Sequence, residues 1–229
     1  MEREFLTVEK DLISLNPEVI LALLGGSEDE LTIHSLEIIE KYISQCKEIM
    51  SPKGVFAVFE AVNLKSEDMI GIEGTTFHIG KIIKNMLRNS ESYALFAVTA
   101  GPEIENMAKS LLEGGQFLEG YIVDLIGSGI VESAADQLHR SIKQFAERGG
   151  INASNRYSPG YCSWNVVEQQ KLFRHLPDGC CGIALSESSM MTPIKSISGI
   201  VGLGYSVRYQ DYTCEICSLK DCIFRKIRN

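Results

Sequence analysis

The sequence predicts an α+β layer fold in which helices pack on a mixed or antiparallel sheet. Three observations carry that reading. Long amphipathic helical stripes recur along the chain, only a few short β-branched and aromatic runs stand between them, and no regular βαβ rhythm or GxGxxG turn signals a doubly wound nucleotide-binding sheet. With 229 residues, 45% hydrophobic and 23% charged, the chain is long enough to bury one large core or two small ones.

Residues 7–50 read as helical. Pro17 opens a first segment that Gly25 and Gly26 close. A second, over residues 29–50, repeats Leu31, Leu36, Ile39, Ile43 and Cys46 at spacings that make one apolar stripe. Cys46 reads as a small buried apolar residue. The runs Gly54–Val62 and Tyr93–Thr99 are rich in β-branched and aromatic residues and bounded by turn formers, so both read as strands, with a helix over 78–88 between them. Pro102 starts a further helix that ends at a glycine pair. The longest helical pattern covers 117–148. Inside it, Gly127, Ser128 and Gly129 each cost helix stability, up to about 1 kcal/mol for Gly, which implies close packing against a neighbouring backbone or a ligand. Beyond it come an Asn/Ser/Pro/Gly loop at 151–163, a helix near 164–176, and strand-like segments at 181–187 and 199–209.

Thirty acidic against 22 basic residues give a net charge of −8, with no long Lys/Arg run to neutralise phosphates, so nucleic acid is excluded as an expected partner. The opening MEREFLTVEKDL is too charged for a signal peptide, and the longest apolar stretches fall far short of a membrane span. The expected setting is cytoplasmic, with no membrane partner. Seven cysteines form an odd count, and three of them crowd near the end as Cys214-x2-Cys217-x4-Cys222. Three thiolates so close make a partial cage for zinc or an iron-sulfur cluster that lacks one ligand, which Cys162, Cys180 or Cys181 could supply. Ordinary reduced cysteines are the alternative.

The sharpest local feature is Arg156-Tyr157-Ser158-Pro159-Gly160-Tyr161. A guanidinium offers a planar fork of donors suited to a carboxylate, Pro-Gly makes a fixed turn, and a tyrosine ring can cover an adenine or sugar. An amino-acid nucleoside needs those groups; a surface turn whose Arg caps a helix uses the same residues. On the long helix Glu132, Asp136 and His139 share one face, with Asp124 further up. They are suited to a cationic ligand or a metal, or else form an exposed polar face. Ser163 and Trp164 follow the loop as either a pocket wall or, for the Trp, core. Ser186-Glu187-Ser188 lacks the elbow and the partners of a hydrolase nucleophile. His34, His78 and His175 show no ligand spacing.

Four pieces in order carry a resemblance: the Arg156-x3-Gly160-Tyr161 loop, the helix Glu168-Gln-Gln-Lys-Leu-Phe173, the stretch Ile183-Ala-Leu-Ser-Glu-Ser-Ser-Met-Met-Thr-Pro193, and Ser196-Ile-Ser-Gly199. Together they resemble the activation domain of vitamin B12-dependent methionine synthase, over roughly residues 115–204. The chain then divides into an N-terminal helical and strand region at 1–115, a core at 116–212 that the resemblance implies to bind S-adenosylmethionine, and a cysteine-rich tail at 213–229. It implies that Arg156 holds the ligand carboxylate, that Tyr161 packs on or bonds the nucleoside, and that backbone groups of Tyr157, Ser158, Pro159 and Gly160 contact the ligand; by their positions alone, Glu132, in the small-residue stretch after Gly127-Ser128-Gly129, is a further candidate contact and Trp164, next to the loop, a candidate contact for a corrin ring. The implied partners are a cobalamin-carrying methionine synthase or corrinoid protein and a reductase or flavodoxin-like electron donor. The sequence departs from the family at Ile200–Gly204, where the family has aromatic residues. The family's N-terminal acid, which meets the ligand's amino group, has no evident counterpart. Nothing in the family requires the cysteine cluster, whose metal set is read as Cys214, Cys217, Cys222 and Cys162.

Overall fold

The computed structural model describes residues 2–25 and 30–209. Its centre is an antiparallel sheet of seven strands: β1 (Glu2–Thr7), β2 (Lys53–Val62), β3 (Met69–Ile72), β4 (Thr75–His78), β5 (Ser92–Thr99), β6 (Asn152–Tyr157) and β9 (Ser196–Gly204). The order runs β4-β3-β2-β5-β9-β6. β1 also lies along β2, beside residues 53–58, while β3 takes Ala61 and Val62. β9, the last strand among the described residues, therefore sits inside the sheet, between β5 and β6, and ties residues 196–204 to the N-terminal half. A separate two-stranded ribbon pairs β7 (Ala184–Leu185) with β8 (Met191–Thr192).

Strict alternation along the central strands gives the sheet two buried faces. Phe56, Ala94, Phe96, Val98, Val201 and Leu203 point to one core, and Val55, Ala57, Phe59, Leu95, Ala97 and Ile200 to the other. Helices α1 (Pro17–Leu23), α2 (Glu30–Ile49), α4 (Pro102–Glu113) and α5 (Phe117–Arg148) contribute to the first core. The second is covered by α3 (Gly80–Met86), α6 (Gln169–His175) and the loops around Trp164 and Cys180. Period-2 strands explain how both faces can be apolar: central strands buried on two sides need a near-continuous hydrophobic run, and Tyr93–Thr99 is one.

Local chemistry accounts for the helix ends. Asn16 accepts the Glu18 backbone N–H at 2.8 Å and Pro17 occupies the first turn of α1. The 32-residue α5 spans about 48 Å. Its costly glycines are packing positions: a Cβ at Gly127 would meet Ile104 Cγ2 at 2.9 Å and Lys195 Cγ at 3.1 Å, and one at Gly129 would meet Leu15 Cδ2 at 2.8 Å. Neighbouring side chains, not a neighbouring backbone, use the space.

Several expectations need correction. Residues 151–157 were expected as loop but include β6, because Asn and Ser, poor strand formers alone, are paired into the sheet by β9. β1 and the β3–β4 hairpin carry too few apolar residues in alternation to be recognised locally and are held by pairing to β2. The expected helical span 7–50 begins instead with a single 3-10 turn at Lys10–Leu12 before α1. The 181–187 segment is mostly a 3-10 turn, Cys180–Gly182, with only two residues of strand after it. The last strand begins at Ser196 and ends at Gly204, earlier than 199–209. The helices expected at 78–88 and 164–176 are shorter, the second split into a 3-10 turn at Val166–Glu168 followed by α6. Among the described residues no helix is long and apolar enough to cross a membrane.

Candidate functional site

The site is built where α5 crosses the β6–β9 edge of the sheet. Ala153 pairs with Leu203 and Arg156 with Val201, so three residues advance on β6 for two on β9. That extra residue is a β-bulge. Regular alternation would send Ala153 and Arg156 to opposite faces; the bulge turns both toward α5, and Tyr157, opposite Ile200, returns to the other face. Ser154 stitches the bulge. Its hydroxyl accepts the Gly202 N–H at 2.9 Å, donates to the Asn155 carbonyl at 2.8 Å, and is fully buried.

Arg156 thus reaches α5 from the sheet. Its Nη2 lies 2.9 Å from Asp136 Oδ1 and 3.5 Å from Glu132 Oε2, carboxylates one helical turn apart. The Arg156 side chain is 13% exposed, against 62% for Asp136 and 58% for Glu132. The cation forms the floor and the acids the rim. Arg156 Nη1 is buried and has no hydrogen-bond partner among the described residues, which leaves a donor for an acceptor of the right size. One turn beyond Asp136, His139 Nε2 lies 2.8 Å from the Ser154 carbonyl. Burial pushes this imidazole down to about 4, so it stays neutral and donates to the carbonyl. The helix-capping alternative for Arg156 is therefore replaced by a strand residue with two acidic partners, and the single polar face of α5 divides into two exposed acids and one buried histidine.

After Tyr157 the chain turns sharply. Gly160 N–H donates to the Trp164 carbonyl at 2.7 Å and Trp164 N–H to the Tyr161 carbonyl at 2.8 Å. Gly160 has φ +100°, a region favouring glycine, and its Cα faces open space within 4 Å. Cys162 and Ser163 follow at φ +49° and +69°, two consecutive left-handed non-glycine residues of the kind that cluster at ligand loops. Pro159 is buried, Ser158 and Tyr157 are half-buried, and Tyr161 is 66% exposed with its ring on the surface. Trp164 is 1% exposed in the second core, so it is core rather than a pocket wall or corrin contact.

The motifs downstream hold this loop region to the scaffold. Glu168 Oε2 accepts the His78 N–H at 3.0 Å and its Oε1 receives Lys171 Nζ at 2.7 Å. Gln169 and Gln170 donate to the Ser189 and Ser186 carbonyls, which fixes the Ser186–Met190 turn as architecture; Ser186 Oγ is occupied by the Met190 N–H. Gly199 has no room for a Cβ, because the Tyr157 carbonyl and the Phe96 ring stand against it. His175 is tied to Thr75. On α5, Asp124 pairs with Lys195 Nζ at 2.8 Å, beside Ser128. Sequence reasoning missed that lysine and the Ser154 bulge. Gly127 was the available signal for Lys195, since a helix glycine makes room for something.

The chemistry-bearing residues Arg156, Glu132, Asp136 and the 158–161 loop share one end of the sheet. A family model for the vitamin B12 dependent methionine synthase activation domain matches residues 82–216, more than half of the 229 residues and all of this site. The chain belongs to that family. Among solved structures it is similar to the MetH reactivation domain bound to AdoHcy, with a TM-score of 0.69 and 16% identity over 92% of this chain and 81% of that one. At that identity the likeness establishes the fold. No curated protein sequence matches the chain.

In this activation-domain chain the loop follows directly on the bulge at Ser154. Cys214, Cys217 and Cys222 lie outside the described residues, and Cys162 is exposed on the loop. Among the described residues no three His, Cys, Asp or Glu side chains assemble as a metal group. Burial raises the Cys180 thiol and pushes Cys181 up to about 12. Cys46, fully buried, is likewise pushed up to about 12 and serves as core.

Proposed function

We infer that this chain binds S-adenosylmethionine at the Arg156–Tyr161 segment and supports reductive methylation of cobalamin carried by a partner methionine synthase or related corrinoid methyltransferase. The observation that carries the reading is Arg156, turned from the sheet toward α5 with a buried Nη1 that lacks an acceptor among the described residues. A ligand carboxylate is the acceptor a guanidinium suits best. The residues present fit an amino-acid nucleoside: a cation at the floor, acids at the rim, open space at Gly160 and the exposed ring of Tyr161. The ligand bound to the structural neighbour, AdoHcy, is the demethylated form of the donor.

When bound, the donor supplies a sulfonium methyl, with the partner's cobalamin as its acceptor. The task of this chain is positioning. Arg156 anchors the carboxylate, Tyr157, Ser158, Pro159 and Gly160 shape the turn over the ligand, Tyr161 covers the nucleoside, and Glu132 contributes negative charge near the cationic end. An electron donor, a reductase or a flavodoxin-like protein, completes the reductive step.

A second reading rests on the Cys214-x2-Cys217-x4-Cys222 segment, which with Cys162 would hold zinc or an iron-sulfur cluster and pass the electron toward cobalt. One experiment separates the readings: calorimetric titration of S-adenosylmethionine into the native protein and Arg156→Ala, with a visible absorption spectrum of the same anaerobic sample. Saturable binding abolished by the substitution supports the donor reading. Absence of binding in a coloured protein supports the redox reading instead.

A further inference from the structure

We propose that the cleft between the last turns of α5 and residues 205–209 is a second binding site, for a sugar phosphate. The site is independent of the donor-binding reading above, because neither Arg156 nor the 157–161 loop lines this cleft. Lys143, on its wall, is seven residues beyond Asp136, or about 10 Å along the helix axis.

The cleft has a volume of about 430 Å³, within the range of small-molecule sites. Its apolar part is the buried pair Ala153 and Val207, and its polar part is Lys143, Glu147, Asn152, Arg208 and Tyr209. In a chain of net charge −8, two cations therefore face one cleft with a single acid. Neither Lys143 nor Arg208 forms an ion pair with a carboxylate of the described residues. Lys143 is held by a ring instead: its Nζ lies 3.5 Å from the centroid of Tyr209, which in turn leans on His139 at 5.9 Å between centroids. A cation–π contact orients an ammonium without neutralising it, so Lys143 keeps its charge and its remaining donors for an anion.

The acceptors of the cleft complete the selection. Asn152 Nδ2 donates to the Tyr205 carbonyl at 3.0 Å, which fixes the amide and leaves Oδ1 to accept. Tyr205 is tied at its other side, where its N–H donates to Glu91 Oε1 at 3.2 Å, so residues 205–209 start from an anchored point. Glu147 adds a carboxylate to the same lining. Two acceptors beside two cations suit a ligand that joins a phosphate to hydroxyl groups. A bare anion gains from the cations but meets Glu147 with nothing to donate, and a neutral sugar leaves both cations unmatched.

The test is calorimetry of the full chain with ribose 5-phosphate, inorganic phosphate and ribose, on the native protein, Lys143→Met, Lys143→Arg, Glu147→Gln and Arg156→Ala. Ribose 5-phosphate should bind saturably and more tightly than phosphate, with no measurable binding of ribose. Lys143→Met should weaken ribose 5-phosphate by roughly tenfold or more, and Lys143→Arg should recover part of the loss. Glu147→Gln should narrow the margin between ribose 5-phosphate and phosphate, and Arg156→Ala should leave both unchanged. Circular dichroism and melting curves check that these variants are folded. The proposal is overturned if ribose 5-phosphate does not saturate the native protein, if it binds no more tightly than phosphate, or if Lys143→Met binds it like the native protein. Loss of binding in Arg156→Ala with Lys143→Met unaffected would place the phosphate at the Arg156 floor, which also overturns it and leaves the donor-binding reading untouched.

Discussion

His139 Nε2 on α5 stands 2.8 Å from the carbonyl oxygen of Ser154 in the β6 bulge, a buried link between the helix that carries the acids and the strand that carries Arg156. Burial is the main cause that lowers this imidazole from 6.5 to about 4; the nearby Arg156 and Lys143 charges push the same way, against the Ser154 carbonyl. The unfolded chain therefore takes up a proton at a pH where the folded protein does not, and stability falls as pH drops from about 6.5 to about 4. At about 1.4 kcal/mol per pKa unit the loss is on the order of 3 kcal/mol. Urea unfolding across that window should show it, and His139→Gln should flatten the profile. Equal slopes for the two proteins would refute the account.

Ser154→Ala removes the acceptor of the buried Gly202 N–H. An orphaned backbone donor costs about 1–3 kcal/mol, and the bulge that aims Arg156 loses its stitch. Both a lower denaturation midpoint and weaker ligand binding are expected from one hydroxyl that touches no ligand. A variant with native stability and native affinity would show that the β6–β9 pairing alone sets the bulge.

Gly127→Ala sets two effects against each other. Alanine improves helix propensity by up to about 1 kcal/mol, but its Cβ would meet Ile104 and Lys195 within 3.1 Å. Overpacking in a buried helix face costs about 1–3 kcal/mol, so the net change should be destabilising. The displaced Lys195 should also lose its contacts to Asp124 and Ser128. A stabilised variant in thermal unfolding would mean the helix shifts to accept the methyl group.

Trp164, the single tryptophan, reports on the core. At 1% exposure its emission should be that of an apolar site and should stay unshifted when ligand saturates Arg156. Trp164→Ala should cost about 3–5 kcal/mol of stability. A large emission shift on ligand addition would instead return Trp164 to the pocket wall.

Much of the molecule was legible before any coordinates. The apolar run Tyr93–Thr99 makes a central strand in any context, the period of 117–148 is helical throughout, and the four ordered motifs from Arg156 to Gly199 were enough to point to the family. The individual jobs inside those motifs were not legible. Glu168, Gln169 and Gln170 read as helix composition and turned out to brace His78 and the 186–189 turn, partners distant in sequence. β6 read as loop because Asn and Ser have no strand preference of their own; β9 supplies the pairing.

The sequence by itself determined the residue chemistry: an arginine, a Pro-Gly turn, a tyrosine beside it and a helix with acids one turn apart, because spacing on a helix and turn preference are local properties. Only the tertiary structure decided that Arg156 meets Asp136 at all. That encounter depends on one extra residue in β6, on a ladder to a strand some forty residues downstream, and on α5 packing across it. These are long-range pairings whose geometry no local pattern contains.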